Sequence, residues 1–281
     1  MLLGWMCFCE RLMHVARRTR VTVALDSLAA AAQLSDAARA AQVTIPVLAE
    51  VDAGMGRVGV APANLVPLAK AIVNLPHLEF AGFTFYPGHI KQLDETGYAA
   101  LHTLSALVGS LVKECKAAGL PAGIVSGGST PALFQSHRVE GLNEIRPGTY
   151  IFNDRNTVEA AACEWTDCAA TIMTTVVSTR PGHMIVDGGS KTFSSDRTAA
   201  PGDPTFGLVR EAPGALFHKM NEEHGYIDLS RAERQDFLVG DRVRILPNHI
   251  CVAMNLHEQV YGVRGDEVVE VWKVAARGKL Q

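Results

Sequence analysis

The first half of the chain repeats one pattern: a short apolar run, a polar loop, then a stretch with helical spacing. Glu10 to Arg20 has that helical spacing, with Leu12, Val15 and Ala16 on one face. Val21 to Leu25 is a short β-branched strand. Asp26-Ser27 behind it caps an alanine-rich helix over Leu28 to Ala41. Ile45 to Val51 predicts a second strand, with a loop and a helix over Asn64 to Val73 after it. Leu78 to Phe85 predicts a third, followed by a helix around Gly97 to Ala118. Gly123 to Val125 is a fourth strand, and Ile145 to Phe152, interrupted by Pro147-Gly148, a fifth. Short buried strands alternating with helices mean parallel β/α units, whose chemistry gathers in the loops at the strand C-termini. Those loops read VDAGMGRVG, FYPGH, VSGGST and YIFND.

From about Cys163 the pattern changes. ATIMTTVVS, HMIVDGG, RVRILPNHICVAM, EQVYGV and VVEVWKV are β-rich, with turns at Arg180-Pro181-Gly182, Gly188-Gly189 and Gly265-Asp266. With no long helical stretch between them, these segments predict a mostly antiparallel β domain. The expected division is an α/β part over residues 1–155, a partial (β/α) barrel, and a C-terminal β domain over residues 160–281. About five β/α units are countable where a closed (β/α)8 barrel needs eight. The β-rich half cannot supply the other three, so the expectation is an open sheet or a barrel lacking its first units.

Composition acts mainly by exclusion. The 281 residues are 48% hydrophobic and 20% charged with a net charge of −3, as in ordinary globular proteins. No basic excess points to nucleic acid, and no charge run points to a membrane surface. The apolar N-terminus has no leading positive charge, unlike a signal peptide, and is about half the length of a membrane span. Six cysteines (7, 9, 115, 163, 168, 251) lack framework spacing, which fits a reducing cytoplasm. Cys7 and Cys9 have metal-pair spacing, but no partner cluster lies nearby.

Four stretches carry candidate chemistry. Ile124 to Ala132 reads IVSGGSTPA: two glycines let backbone N–H groups converge, Ser129 and Thr130 add hydroxyls, and Pro131 stands where a helix begins. Such a loop before a helix favours an anion, usually phosphate, and equally suits a tight capped turn. Gly54 to Gly59, GMGRVG, matches the GxGxxG dinucleotide fingerprint, yet the helix opens only near Asn64, after Pro62. The alternative is that its glycines bring Arg57 up to something anionic. Tyr86-Pro87-Gly88-His89 puts a phenol and an imidazole at the same end of the sheet. His249 and Cys251 lie in a strand-like run, where residues i and i+2 share a face and can grip one zinc ion. A buried cysteine beside a hydrogen-bonded histidine is the plainer reading of that pair.

In order along the chain, VTVALDS, VDAGMGRVGV, FYPGHI, VSGGSTPA, RPGTYIFND, EHG and PNHIC resemble the D-threonine aldolase and D-serine dehydratase family. The likeness runs from about Arg11 to the end. It implies pyridoxal-phosphate enzymes of the alanine racemase-like barrel with a C-terminal β domain. The cofactor phosphate would lie on Ser126, Gly127, Gly128, Ser129 and Thr130, with the Gly148-Thr149-Tyr150 segment nearby. Arg57 would face the phenolic oxygen and Tyr86 the ring nitrogen, with His89 near the substrate as catalytic candidate. His249 and Cys251 match the metal pair, the cysteine pointing to the zinc-type dehydratases. The implied substrate is a D-3-hydroxy amino acid, and the expected assembly a cytoplasmic homodimer.

One family feature has no counterpart. The Schiff-base lysine of the first barrel strand, in an HxKTHK-like segment, is unmatched; Lys70, Lys91, Lys113 and Lys116 fall in helices or loops. The expectation is an N-terminally shortened member with impaired activity. An amino-acid racemase, which needs no metal pair, and a non-catalytic cofactor-binding protein are the alternatives.

Overall fold

The computed structural model describes residues 2–198 and 202–279, in two compact units, Met1–Pro147 and Gly148–Gln281. In the first, helix α1 (Leu2–Ala16) precedes a sheet of five parallel strands. These are β1 (Val23–Leu25), β2 (Ile45–Glu50), β3 (Leu78–Thr84), β4 (Ile124–Gly127) and β5 (Glu144–Ile145). Helices α2 (Leu28–Ala41), α3 (Leu65–Val73) and α4 (Glu95–Ala117) fill the first three crossovers. Ser27 caps α2 by accepting the Ala30 N–H at 3.2 Å, and Asp94 caps α4 through the Gly97 N–H at 2.8 Å. The strands lie in chain order, so the sheet has no reversal point of the doubly wound kind and runs as a barrel wall. Its core joins Leu25, Val47, Phe83 and Val125 of the strands to Leu34, Leu68, Ile72, Leu104 and Val108 of the helices.

Two local expectations are corrected here. The fifth strand stops at Ile145, because Pro147 cannot donate to a ladder and residues Thr149–Ile151 wind into a 3-10 turn. No α-helix opens at Pro131. Residues Leu133–Arg138 form a 3-10 helix, and Ser136 Oγ donates back to the Ala132 carbonyl at 3.1 Å, a local bond that competes with α-helical continuation. Cys9 is buried, while the Cys7 side chain lies outside the described residues. No helix among the described residues is long and apolar enough to cross a membrane.

The second unit opens with α5 (Arg155–Glu159) and builds a six-stranded sheet. Its strands are β6 (Ile172–Arg180), β7 (His183–Val186), β8 (Gly207–Val209), β9 (Leu216–Met220), β10 (Gly225–Asp228) and β11 (Arg242–Pro247). A short α6 (Ser190–Phe193) follows β7. The spatial order is β8-β11-β6-β7-β10-β9, and every pairing is antiparallel. Next to β8, the Phe206 N–H donates to the Phe217 carbonyl of β9 at 2.8 Å, so the sheet curls until its edge strands meet. After β11 come α7 (Ile250–Leu256) and a separate hairpin, β12 (Gln259–Arg264) with β13 (Glu267–Lys273).

Phe217 anchors this core: it is fully buried, with Phe193 edge-on at 5.2 Å and Phe206 at 5.9 Å between ring centroids. Phe217→Ala is therefore expected to cost about 3–5 kcal/mol, read as a lower urea midpoint for the second unit. A loss under about 1 kcal/mol would mean that the ring is not a core anchor.

Candidate functional site

In the first unit, the loops behind the strand C-termini are locked to one another. The Asp52 carboxylate accepts the N–H groups of Gly54 (2.9 Å) and Gly56 (3.0 Å), bonds that hold it below the usual carboxylate range. The Gly59 N–H donates to Asp26 at 3.0 Å, joining the loops after β1 and β2. With α3 opening only at Leu65, GMGRVG is no dinucleotide turn. It carries Arg57 over the Tyr86 ring, 4.9 Å from guanidinium carbon to ring centroid. His89 is exposed, and a Cβ on Gly54 would lie 3.1 Å from its imidazole. Arg57, Tyr86 and His89 thus stand in two adjoining loops.

Ser126 to Thr130, the end of β4 and the loop after it, are all buried. Ser126 is committed to positioning: its hydroxyl donates to Glu144 and accepts from Arg146 Nε at 2.9 Å. Arg146 also donates to Thr84 Oγ1 (2.8 Å) and the Phe85 carbonyl (2.9 Å), tying the ends of β3, β4 and β5 together. A Cβ at Gly127 would fall 2.4 Å from the Phe85 ring. Ser129 Oγ is buried without a hydrogen-bond partner. An unmet buried hydroxyl is costly, and here it stands beside the Thr130 hydroxyl directly behind Gly127-Gly128. That is the donor set a phosphate group uses, so the loop fits pyridoxal phosphate.

The second unit holds the histidine–cysteine pair, though not on a strand. Pro247 ends β11, Asn248 is buried and donates to the carbonyls of Asp196 (3.1 Å) and Thr205 (2.7 Å), and His249 is the N-cap of α7. The shared strand face expected from the sequence is therefore replaced by a strand-to-helix corner, with His249 at the N-cap and Cys251 in the first turn of α7. His249 Nδ1 lies 3.1 Å from Asp154 Oδ2, and Thr149 Oγ1 lies 3.7 Å from Cys251 Sγ. The bond to Asp154, helped by Cys251, pushes the His249 imidazole up to about 10, and the His249 bond draws the Cys251 thiol below its ordinary value. An imidazole and a thiol at one corner are a donor pair whose protons a divalent cation can displace. Among the described residues no third His, Cys, Asp or Glu completes a cluster, so two protein ligands leave positions for water or substrate. The donor set fits zinc.

Gly148 and Tyr150 belong to this second unit, flanking Thr149, and Tyr150 is exposed. The family model described as "Alanine racemase, N-terminal domain" matches residues 1–156, and "Putative serine dehydratase domain" matches residues 169–263. The 3-hydroxy-D-aspartate aldolase of Paracoccus denitrificans is 32% identical over 272 residues, covering 92% of this chain and 67% of the relative. The chain belongs to the D-threonine aldolase and D-serine dehydratase family. Its fold is that of the family: the D-threonine aldolase of Filomicrobium marinum superposes with a TM-score of 0.87 at 28% identity, over 98% of this chain and 75% of that one. The D-threo-3-hydroxyaspartate dehydratase of Delftia sp. HT23 superposes with 0.83 at 29%, over 94% and 74%, and a mutant of it has been solved in a metal-free form. Both the parallel barrel sheet and the antiparallel C-terminal domain expected from the sequence are thus those of these aldolase and dehydratase relatives.

Asp154 and Arg146 carry no assigned role in the sequence reading, although both lie within RPGTYIFND. For Asp154 a signal was present: an aspartate three residues before Thr157 is a helix-cap pattern.

Proposed function

We propose that the residues of this chain serve a pyridoxal-phosphate- and metal-dependent lyase acting on D-3-hydroxy amino acids, of the zinc dehydratase type. The observation that supports the reading is the corner that sets His249 at the N-cap of α7 and Cys251 in its first turn, an imidazole–thiol pair of a kind a racemase has no use for. Bound together, the two groups supply an electron sink for the substrate's α-carbon and a Lewis acid for its β-hydroxyl. Ser129, Thr130 and the N–H groups of Gly127 and Gly128 would hold the phosphate, while Arg146 keeps their loop in place through Ser126. Arg57 and Tyr86 would orient the cofactor ring, and His89, exposed beside Gly54, would meet the substrate. His249 and Cys251 would hold the metal.

The five strands of the first unit contain no lysine. A positioned strand amine is what exchanges the cofactor with substrate, so the polypeptide of these 281 residues is read as binding its ligands without efficient turnover.

The test combines binding and catalysis on that polypeptide. It is expected to bind pyridoxal phosphate, with Ser129→Ala weakening binding about tenfold, the loss of roughly one hydrogen bond to a charged group. Keto acid from D-serine and glycine from D-threonine are expected only at background rate. Binding that Ser129→Ala leaves unchanged would remove the phosphate assignment. Turnover at enzyme rates would show that the essential amine lies among these residues after all.

A further inference from the structure

The Asp154 carboxylate is fully buried and makes four hydrogen bonds to donors from two distant segments. Its Oδ1 accepts the Thr157 N–H (2.8 Å) and Thr157 hydroxyl (2.7 Å), capping its own helix α5. Its Oδ2 accepts the Ile250 N–H (2.9 Å), the first backbone donor of α7, and faces His249 Nδ1 at 3.1 Å. A second bond fixes the same approach: the Asn156 N–H donates to the Asn248 carbonyl at 3.1 Å. One oxygen thus serves the local helix, and the other clamps a corner 95 residues further on.

An unprotonated carboxylate oxygen only accepts, so the imidazole must present Nδ1 as the donor. That leaves Nε2 as the ring nitrogen whose lone pair can serve a metal ion. The Ile250 bond holds the backbone from which the ring projects, and the Thr149 hydroxyl lies against the cysteine sulfur on the other side. Outer carboxylates of this kind set the tautomer and basicity of metal-bound histidines.

We propose that Asp154 is the positioning residue of the metal site: it fixes His249 in the Nδ1–H tautomer, aims Nε2 at the ion, and sets the α7 corner that carries Cys251. This rests on the His249–Cys251 metal reading above. Asp154 does not itself touch the ion. Thr157→Val separates the two halves of the carboxylate's work, since it removes a bond to Oδ1 and leaves Oδ2 untouched.

The experiment measures zinc affinity of the full 281-residue chain by chelator competition, with cobalt(II) substitution reporting the thiolate band. Asp154→Asn keeps the cap acceptor but can turn an amide N–H₂ toward Nδ1, which forces the wrong tautomer. It is expected to weaken zinc binding about 10–100-fold, and Thr157→Val by less than about threefold. Equal affinity of Asp154→Asn and the parent chain would overturn the proposal and leave the metal pair standing. A parent chain that binds no zinc through His249 and Cys251 would overturn both. Independently of any variant folding, nitrogen-15 spectra of histidine in the zinc-loaded parent are expected to show His249 protonated at Nδ1 and metal-bound at Nε2. Metal on Nδ1 would overturn the proposal.

Discussion

A Cys251→Ser chain purified in zinc-containing buffer is expected to carry less than about a tenth of the zinc of the parent, because a serine hydroxyl does not ionise near neutral pH and is a hard, weak donor. His249→Ala should do the same, and for the same reason in reverse: it leaves a thiolate without its imidazole. With two protein ligands among the described residues, neither loss has a spare donor to fall back on. Metal analysis after dialysis measures the effect directly. Zinc content equal to that of the parent in Cys251→Ser would show that the ion is held elsewhere.

The second large effect is expected at Gly82, inside β3. The ladder between β2 and β3 slips by one residue between Val47 and Leu48, and Gly82 follows that bulge with φ at +145°. A Cβ there would stand 1.8 Å from the Ile124 carbonyl oxygen of β4, an atom the sheet cannot move without losing the β3–β4 ladder. Gly82→Ala is expected to cost more than about 4 kcal/mol and to prevent cooperative folding of the first unit, seen as lost helical circular dichroism. Gly56→Ala, at φ +69° with nothing within 4 Å of the added methyl, is the control, expected to cost about 1 kcal/mol. Comparable stability of the two variants would mean that β3 and β4 are not paired as described.

Much of this architecture was legible because local signals agreed with the tertiary outcome. The Asp26-Ser27 cap, the alanine-rich run behind it and the buried strand Ile45–Glu50 each state their element within a few residues. Loops following apolar strands were legible in the same way, so that Arg57 follows β2 and Tyr86 follows β3 as expected. Sequence reading failed where the deciding contact comes from far along the chain. RVRILPNHICVAM has a strand-like composition, yet its second half is helical, and the bonds that meet the corner, from Ile250 N–H to Asp154 and from Asn156 N–H to Asn248, come from far along the chain. Arg146 was missed for the same reason: its acceptors, Thr84 and Phe85 at the end of β3 and Ser126 on β4, lie 20 to 62 residues away in sequence. Strands β8, β9 and β10 have only three to five residues each, too short for alternation to declare itself.

The position of β11 in its sheet has a kinetic consequence. This strand inserts between β6 and β8, and its contact with β6 joins residues 69 positions apart in sequence, as between Thr174 and Val243. The β6–β7 and β9–β10 hairpins close short loops and can form early. The slot for β11 exists only when β6 and β8 have been brought side by side, and closing such a long loop is slow. His249 and Cys251 follow directly behind that strand, so the metal ligands assemble at the end of the folding reaction rather than seeding it. Zinc capture therefore reports that the β domain has completed its fold, and an ion added at the start of refolding has little to accelerate.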